Sequence, residues 1–67
     1  MPFVNIRILK GHSQKRKNEI SRRVSEIIRD VAKLPPGAQV WVVWEDVTDE
    51  DWFVDGKSVK AIRGKKA

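Results

Sequence analysis

Length, charge and the lack of cysteine set the first limits on this protein. The chain has 67 residues, a net charge of +5 and no cysteine, so we expect a single small domain that neither disulfides nor thiolate metal sites stabilise. Self-association commonly enlarges the core of so small a domain. No apolar stretch has transmembrane length and no signal-peptide pattern is present, so we expect a cytoplasmic protein without a membrane partner.

The first element in chain order is a predicted strand, Phe3 to Leu9. Its β-branched residues alternate with polar ones, as is typical of a strand with one covered face. Gly11 ends the strand. Ser13 is then a candidate N-cap for the helix that follows.

A helix is predicted from residue 14 to about residue 33. Its apolar residues recur at spacings of three and four, which places them on one stripe of an amphipathic helix. They are Ile20, Val24, Ile27, Ile28 and Val31. The segment 35–37 (Pro-Pro-Gly) ends the helix, because proline cannot continue the hydrogen-bond ladder.

The first turn of this helix is basic. Residues 15–17 are Lys, Arg and Lys, which is unfavourable at the positive end of the helix dipole. We expect acidic residues of the segment 46–51, contributed by a neighbouring copy, to offset these cations; the alternative is two separately solvated charge clusters.

Residues 40–44 form an almost uninterrupted run of strand formers, which indicates a central strand covered on both faces. A strand, a helix and a second strand in this order predict a right-handed βαβ unit with parallel strands. One helix covers only one face of such a sheet. Trp41 and Val43 therefore need another cover, and we predict that a second copy of the chain provides it.

The last third of the chain predicts a turn and a hairpin. Residues 48–51 are polar, and residues 52–59 contain Gly56 near the middle, as suits a short hairpin. Residues 62–67 are basic and are predicted to form a mobile tail. The predicted fold class is α/β (α+β), with a parallel β-α-β unit and a short C-terminal β-hairpin in one domain of residues 1–67.

Pro2 is the candidate catalytic residue. The chain contains no nucleophile relay, phosphate-binding glycine loop or metal cluster. Methionine before proline is normally removed, which would leave a free secondary amine at the start of the strand. An α-amino group titrates near ~8, and burial or neighbouring cations bring its pKa towards neutrality. Such a base is suited to removing a proton next to a carbonyl. The structural alternative is a proline that only starts a strand.

Several short motifs follow one another along the chain in a characteristic order. They are Met1-Pro2-Phe3-Val4-Asn5-Ile6, Leu9-x-Gly11-x-Ser13, the amphipathic helix, Pro35-Pro36, Val40-Trp41-Val42-Val43 followed by Glu45-Asp46-Val47, and Asp51-Trp52-Phe53-Val54-x-Gly56. Together they resemble the 4-oxalocrotonate tautomerase family over essentially the whole chain. The resemblance implies dimers that usually combine into a hexamer. It also implies a cofactor-independent isomerase in which Pro2 acts as base and then as acid on a small carboxylate.

The same resemblance indicates candidates for substrate binding. Trp52 falls where the family has an aromatic residue that lines the pocket. His12 and Trp41 occupy positions where better-known members have arginines that hold the substrate's carboxylate and polarise its carbonyl. His12 can donate a hydrogen bond in place of an arginine, and Arg7 or Arg63 can bind an anion. Each also has a structural alternative, as a surface polar residue or a core tryptophan.

Other functions stay open at this point. The same scaffold could serve a hydratase, dehalogenase or decarboxylase of short unsaturated or keto acids. The two replaced arginines also permit a catalytically silent subunit. A basic nucleic-acid-binding module is a further alternative, but the second apolar segment is a strand rather than the second helix that ribbon proteins need. The expected partners are therefore a small carboxylate and further copies of the chain, as a trimer of dimers or otherwise a dimer or trimer, without nucleic acid.

Overall fold

The computed structural model describes residues 2–64, which form two separate pairs of strands and two helices. The elements in chain order are β1 (Phe3–Leu9), α1 (Gln14–Val31), β2 (Trp41–Val47), β3 (Phe53–Val54), β4 (Lys57–Ser58) and α2 (Val59–Gly64). β1 and β2 pair in parallel, and β3 and β4 form an antiparallel hairpin. This arrangement confirms the predicted β-α-β unit with a C-terminal hairpin.

The β1–β2 ladder begins with Phe3 opposite Trp41 and ends with Leu9 opposite Val47. β1 has the predicted bounds, whereas β2 begins one residue later than the apolar run and continues three residues beyond it. The extension includes polar Glu45 and Asp46, whose partners are cations of β1 and α1. The sequence prediction ended the strand too early because it followed the apolar run, and Glu45 and Asp46 are held in the strand by ion pairs that hydrophobicity does not indicate.

Helix α1 has the predicted start and an earlier end. The Oγ of Ser13 accepts a hydrogen bond from the Arg16 amide at 3.1 Å, so Ser13 is the N-cap. The helix ends at Val31, about two residues before the predicted end, because Lys33 adopts a left-handed backbone with φ 54°. The amides of Lys33 and Leu34 donate to carbonyls of the last turn at 3.3 and 3.1 Å, a Schellman-type ending.

Helix α1 packs on one face of the β1–β2 sheet. Trp44 of β2 donates its indole Nε1–H to Ser21 Oγ at 2.7 Å. Lys17 forms an ion pair with Asp46, so an acidic partner expected for the basic helix start comes from the same chain and not from a neighbouring copy. Val24 and Ile28 are half-buried against the sheet. The sheet covers only one side of the predicted apolar stripe of α1. The remaining residues of the stripe are exposed, and these are Ile20, Ile27 and Val31.

The hairpin and α2 follow from local signals. Asp55 and Gly56 both have positive φ, 52° and 86°, as a type I′ hairpin turn requires. The Oγ of Ser58 accepts from the Ala61 amide at 3.1 Å, which caps α2 at its start. Residues 62–64, which the sequence assigned to the basic tail, belong to α2. Residues 65–67 lie outside the described part of the chain.

A single chain has an elongated shape and little buried surface. Its radius of gyration is 16.0 Å, whereas a compact chain of this length has about 11 Å. No hydrophobic side chain within residues 2–64 is fully buried. On the sheet face away from α1, Phe3, Trp41 and Val43 are 62%, 52% and 40% exposed. Trp41 and Val43 thus lack a cover among residues 2–64, as the sequence indicated.

Candidate active site

Pro2 lies at the N-terminal edge of the parallel sheet. It directly precedes β1 and is half-buried. Its carbonyl accepts a hydrogen bond from the Trp41 amide at 3.0 Å, so the backbone at this position is tied to the start of β2. Met1 lies outside the described residues, and its removal stays a prediction.

The strand residues next to Pro2 are aromatic and uncharged. Phe3 and Trp41 are ladder partners, so their side chains lie on the same open face of the sheet. The Trp41 indole donates to Gln39 Oε1 at 3.4 Å. Neither strand places a cation at this edge, and an anionic substrate there would need its positive partner from elsewhere.

Arg7 lies on the same open face but further along β1. Its guanidinium donates twice to Glu45 Oε1, from Nε at 3.2 Å and from Nη2 at 3.0 Å. At about 3.3 Å per residue, about 17 Å of strand separates Arg7 from Pro2. Arg7 is therefore engaged with a carboxylate of its own chain and does not meet Pro2 within it.

The other predicted site residues lie towards the opposite edge of the sheet. His12 follows the end of β1 and is exposed. Trp52 is half-buried, and its carbonyl accepts the Val59 amide at 2.8 Å, which ties it to the start of α2. Arg63 lies within α2. Because β1 alone spans about 20 Å or more, the fold separates His12 from Pro2 and groups Trp52 with the α2 region.

An open cavity of about 380 Å³ lies at this opposite, C-terminal edge. Its lining consists of Lys10, Thr48, Asp49, Glu50, Lys60 and Arg63. Lys60 Nζ donates to Glu50 Oε2 at 2.8 Å. This hydrogen bond lowers the pKa of the Glu50 carboxyl and raises the pKa of Lys60, so both groups stay charged near neutral pH.

Two of the cationic side chains that line the cavity were not predicted from the sequence. Arg63 was a predicted binding residue, but Lys10 and Lys60 were not. The position of Lys10 carried a signal, since it directly follows β1 and ligands often bind beyond the carboxyl ends of parallel strands. The position of Lys60 gave no such signal, because Lys60 reaches the cavity only when α2 folds against the loop after β2.

The described residues offer neither a metal site nor a membrane-spanning helix. Within residues 2–64, no group of three or more His, Asp or Glu side chains is placed to hold a metal ion. Neither helix there has the length and apolar character needed to cross a membrane.

Comparison with known proteins gives a consistent result. The family model described as "Tautomerase enzyme" matches residues 2–62. A probable tautomerase of Streptococcus agalactiae serotype III is 35% identical over 60 residues, which cover 90% of this chain and 98% of that protein. A probable tautomerase of Streptococcus pyogenes serotype M3 is 33% identical over 57 residues, covering 85% of this chain and 92% of that protein.

Solved structures show the same relationship. A 4-oxalocrotonate tautomerase homologue of the tomaymycin biosynthetic pathway superposes with a TM-score of 0.88 at 26% identity, covering 98% of this chain and 100% of that one. A heterohexameric 4-oxalocrotonate tautomerase from Chloroflexus aurantiacus superposes with a TM-score of 0.83 at 28% identity, covering 94% and 100%. The family match over residues 2–62 and these likenesses together establish that the chain belongs to the tautomerase family, as the order of its motifs indicated.

Proposed function

We propose that this protein is an isomerase that interconverts keto and enol forms of a small 2-oxo or 2-hydroxy-unsaturated carboxylate, with Pro2 as its general base and acid. The observation that carries the proposal is the family match, which begins at Pro2 and covers residues up to 62. The half-buried position of Pro2 at a sheet edge supports it, because a proton-transfer group must be reachable by substrate and partly shielded from water.

The reaction needs a free amine at Pro2. Removal of Met1 would convert an amide nitrogen into a secondary amine, whose unperturbed pKa lies near ~8. Partial burial disfavours the protonated amine and so increases the fraction of neutral base. The neutral nitrogen takes the proton α to the substrate's carbonyl, and electron density moves onto the carbonyl oxygen. The protonated nitrogen then returns that proton to a different atom of the enolate.

The developing enolate needs a hydrogen-bond donor or a cation. Beside Pro2, Phe3 has no donor and the Trp41 indole N–H is directed to Gln39 Oε1, while His12 lies beyond the other end of β1. We therefore propose that another copy of the chain brings His12, Trp52 or Arg63 to the Pro2 edge. Trp41, next to Pro2 in the ladder, would line the pocket as an apolar wall.

This arrangement requires a homo-oligomer. The exposed aromatic face of the sheet and the large radius of gyration support association. We propose a hexamer built as a trimer of dimers, with a dimer or trimer as smaller alternatives. The heterohexamer among the solved relatives is a precedent for six subunits in this fold. The expected cytoplasmic location stays a prediction.

The test combines the mass of the intact protein with its rate of enol ketonisation. Intact mass spectrometry of the active protein should show the mass of the chain without Met1. Ketonisation of an aryl-pyruvate enol, followed by ultraviolet absorbance, should fall by at least about 100-fold in Pro2→Ala. Pro35→Ala is the matched control, because Pro35 is a turn residue at which only the carbonyl is hydrogen-bonded, and its activity should be retained.

Two outcomes would contradict this proposal. The first is full activity of Pro2→Ala, and the second is an active protein that retains Met1, since an amide nitrogen is not a base. Turnover of a haloacrylate or an acetylene carboxylate in place of the enol would instead favour the hydratase or dehalogenase alternative.

A further inference from the structure

The loop between β1 and α1, residues 10–13, is held at both of its ends by β2. At its start, the Lys10 amide donates to the Val47 carbonyl at 2.8 Å. Just after its end, the Lys17 ammonium in the first turn of α1 forms an ion pair with the Asp46 carboxylate. Asp46 and Val47 are neighbours in β2, so one short stretch of that strand fixes both ends of the loop.

The Lys17–Asp46 pair is the most shielded ion pair among residues 2–64. The two side chains are 12% and 33% exposed, whereas those of the other pairs are 46% to 69% exposed. Lys17 is also the one residue from 11 to 20 that is not exposed. Water and salt screen a shielded pair less than an exposed one. The pair therefore restrains the start of α1 more firmly than the surface pairs restrain their elements.

The placement of Lys17 couples the start of α1 to the sheet. The N-terminal end of a helix is its positive end, where a cation is unfavourable, and the first turn of α1 has no acidic residue. Lys17 thus disfavours the isolated helix, and the carboxylate of Asp46 offsets that cost only when the helix is docked on β2. The loop before the helix is ordered by the same contact.

His12 lies between two constrained residues of this loop. Gly11 has φ 136°, which residues with a Cβ rarely adopt. Ser13 is the N-cap, whose Oγ accepts from the Arg16 amide at 3.1 Å. His12 itself is exposed. The backbone is therefore fixed on both sides of His12 while the residue stays accessible to a partner molecule.

We propose that Lys17 and Asp46 are positioning residues for the reaction, and that they hold the loop so that His12 enters the active site of another copy in one orientation. This inference rests on the proposed function, in which His12 is one of the donors brought to the Pro2 edge. A donor stabilises a developing enolate best when it is already oriented, because a displacement of about 1 Å can cost about 100-fold in rate. Both residues act through His12 and not on the substrate itself.

Ketonisation of an aryl-pyruvate enol by variants of the full-length protein tests this role. Asp46→Asn keeps the shape of the side chain and removes its charge, so kcat/KM should fall about tenfold. His12→Ala should fall at least as far. In the His12→Ala background, Asp46→Asn should cost little more, because no side chain is left to position. Glu26→Gln is the matched control, since it breaks an ion pair on the outer side of α1, and it should keep the parental kcat/KM.

A residue that only stabilises the fold would lower activity whether or not His12 is present. An equal loss from Asp46→Asn in both backgrounds, or no loss in either, would therefore overturn the proposal.

A charge exchange guards against effects of misfolding. The double variant Lys17→Glu with Asp46→Lys restores an ion pair of opposite polarity, and its acidic residue suits the helix start. Its kcat/KM should return to within about threefold of the parent value. An exchange variant with the parental circular dichroism spectrum and the full loss of Asp46→Asn would overturn the proposal.

Nuclear magnetic resonance relaxation separates this inference from the proposed function, because it needs no turnover. The order parameters of the Gly11 and His12 amides should be about 0.85 in the parent protein and should fall below about 0.6 in Asp46→Asn. Unchanged values would overturn the positioning role and leave the chemistry at Pro2 untouched. Full activity of Pro2→Ala would instead contradict the proposed function.

Discussion

The two faces of the β1–β2 sheet are built from similar side chains but differ in their cover. Beneath α1, Val4, Ile6 and Trp44 are half-buried. The Trp44–Ser21 hydrogen bond and the Lys17–Asp46 ion pair connect the helix to β2. On the open face, Phe3 and Trp41 remain exposed. Within residues 2–64, α1 thus partly covers one face of the sheet and the other face has no cover.

This difference also bears on the proposed chemistry. Pro2 lies at an edge next to the open face, and the predicted partners for a substrate anion lie elsewhere in the same chain. If a second copy covers the open face, then folding, assembly and the site depend on the same surface.

The largest effect is expected from a charge on the open face. Val43→Lys would place an ammonium where a second copy is proposed to pack, and burial of an unpaired charge is costly. We expect the native oligomer to give way to a species of 7.7 kDa that has lost much of its folded structure. Sedimentation velocity and circular dichroism measure the two changes.

The matched control is Asp30→Lys on the exposed outer side of α1. It should keep the parent mass and fold. Retention of the native mass by Val43→Lys would show that the open face is not the interface.

The covered face should respond to loss of packing. Trp44→Ala removes the largest side chain beneath α1, and we expect the free energy of unfolding to fall by about 3 kcal/mol. Urea unfolding followed by circular dichroism measures it. A loss below about 1 kcal/mol would mean that the helix contributes little to holding this face.

A smaller effect is expected from the hydrogen bond on the same face. Ser21→Ala and Trp44→Phe each break the 2.7 Å bond between Trp44 Nε1 and Ser21 Oγ. Ser21→Ala should cost about 1 kcal/mol of unfolding free energy, and Trp44→Phe should cost more because it also removes part of the indole packing. The double variant should lose less than the sum of the two single losses. Strict additivity would show that the bond does not contribute to stability.

The outer side of α1 belongs to neither face and should show the smallest effect. Hydrogen bonds from Arg22 and then Arg23 lower the pKa of Glu19 from 4.5 to about 2. Since the folded state favours the ionised carboxyl, the stability due to Glu19 is present above pH 4.5 and is lost as the pH falls towards 2. The pairs are exposed, so this contribution is small and is screened by salt.

The measurement is the difference in Tm between the parent protein and Glu19→Gln. It should be small and positive near pH 6 and should vanish towards pH 2 or in high salt. A difference that persists under both conditions would rule out the ion pairs as its cause.

Local signals explain which parts of the fold the sequence could predict. The alternation of apolar and polar residues predicted β1, the hydroxyl of Ser13 predicted the start of α1, and Gly56 predicted the hairpin turn. The ending of α1 at Val31 was missed because it depends on a left-handed Lys33. The extension of β2 was missed because Glu45 and Asp46 find their cations on other elements.

For the candidate site, the sequence by itself determined the proline at the start of β1, the order of the family's motifs and the apolar excess of β2. Only the tertiary structure decided that Lys10 and Arg63 line one cavity and that His12 lies far from Pro2. The physical reason is parallel pairing. It aligns the starts of two strands at one edge and their ends at the other, and residues distant in the chain meet there through contacts that no local pattern encodes.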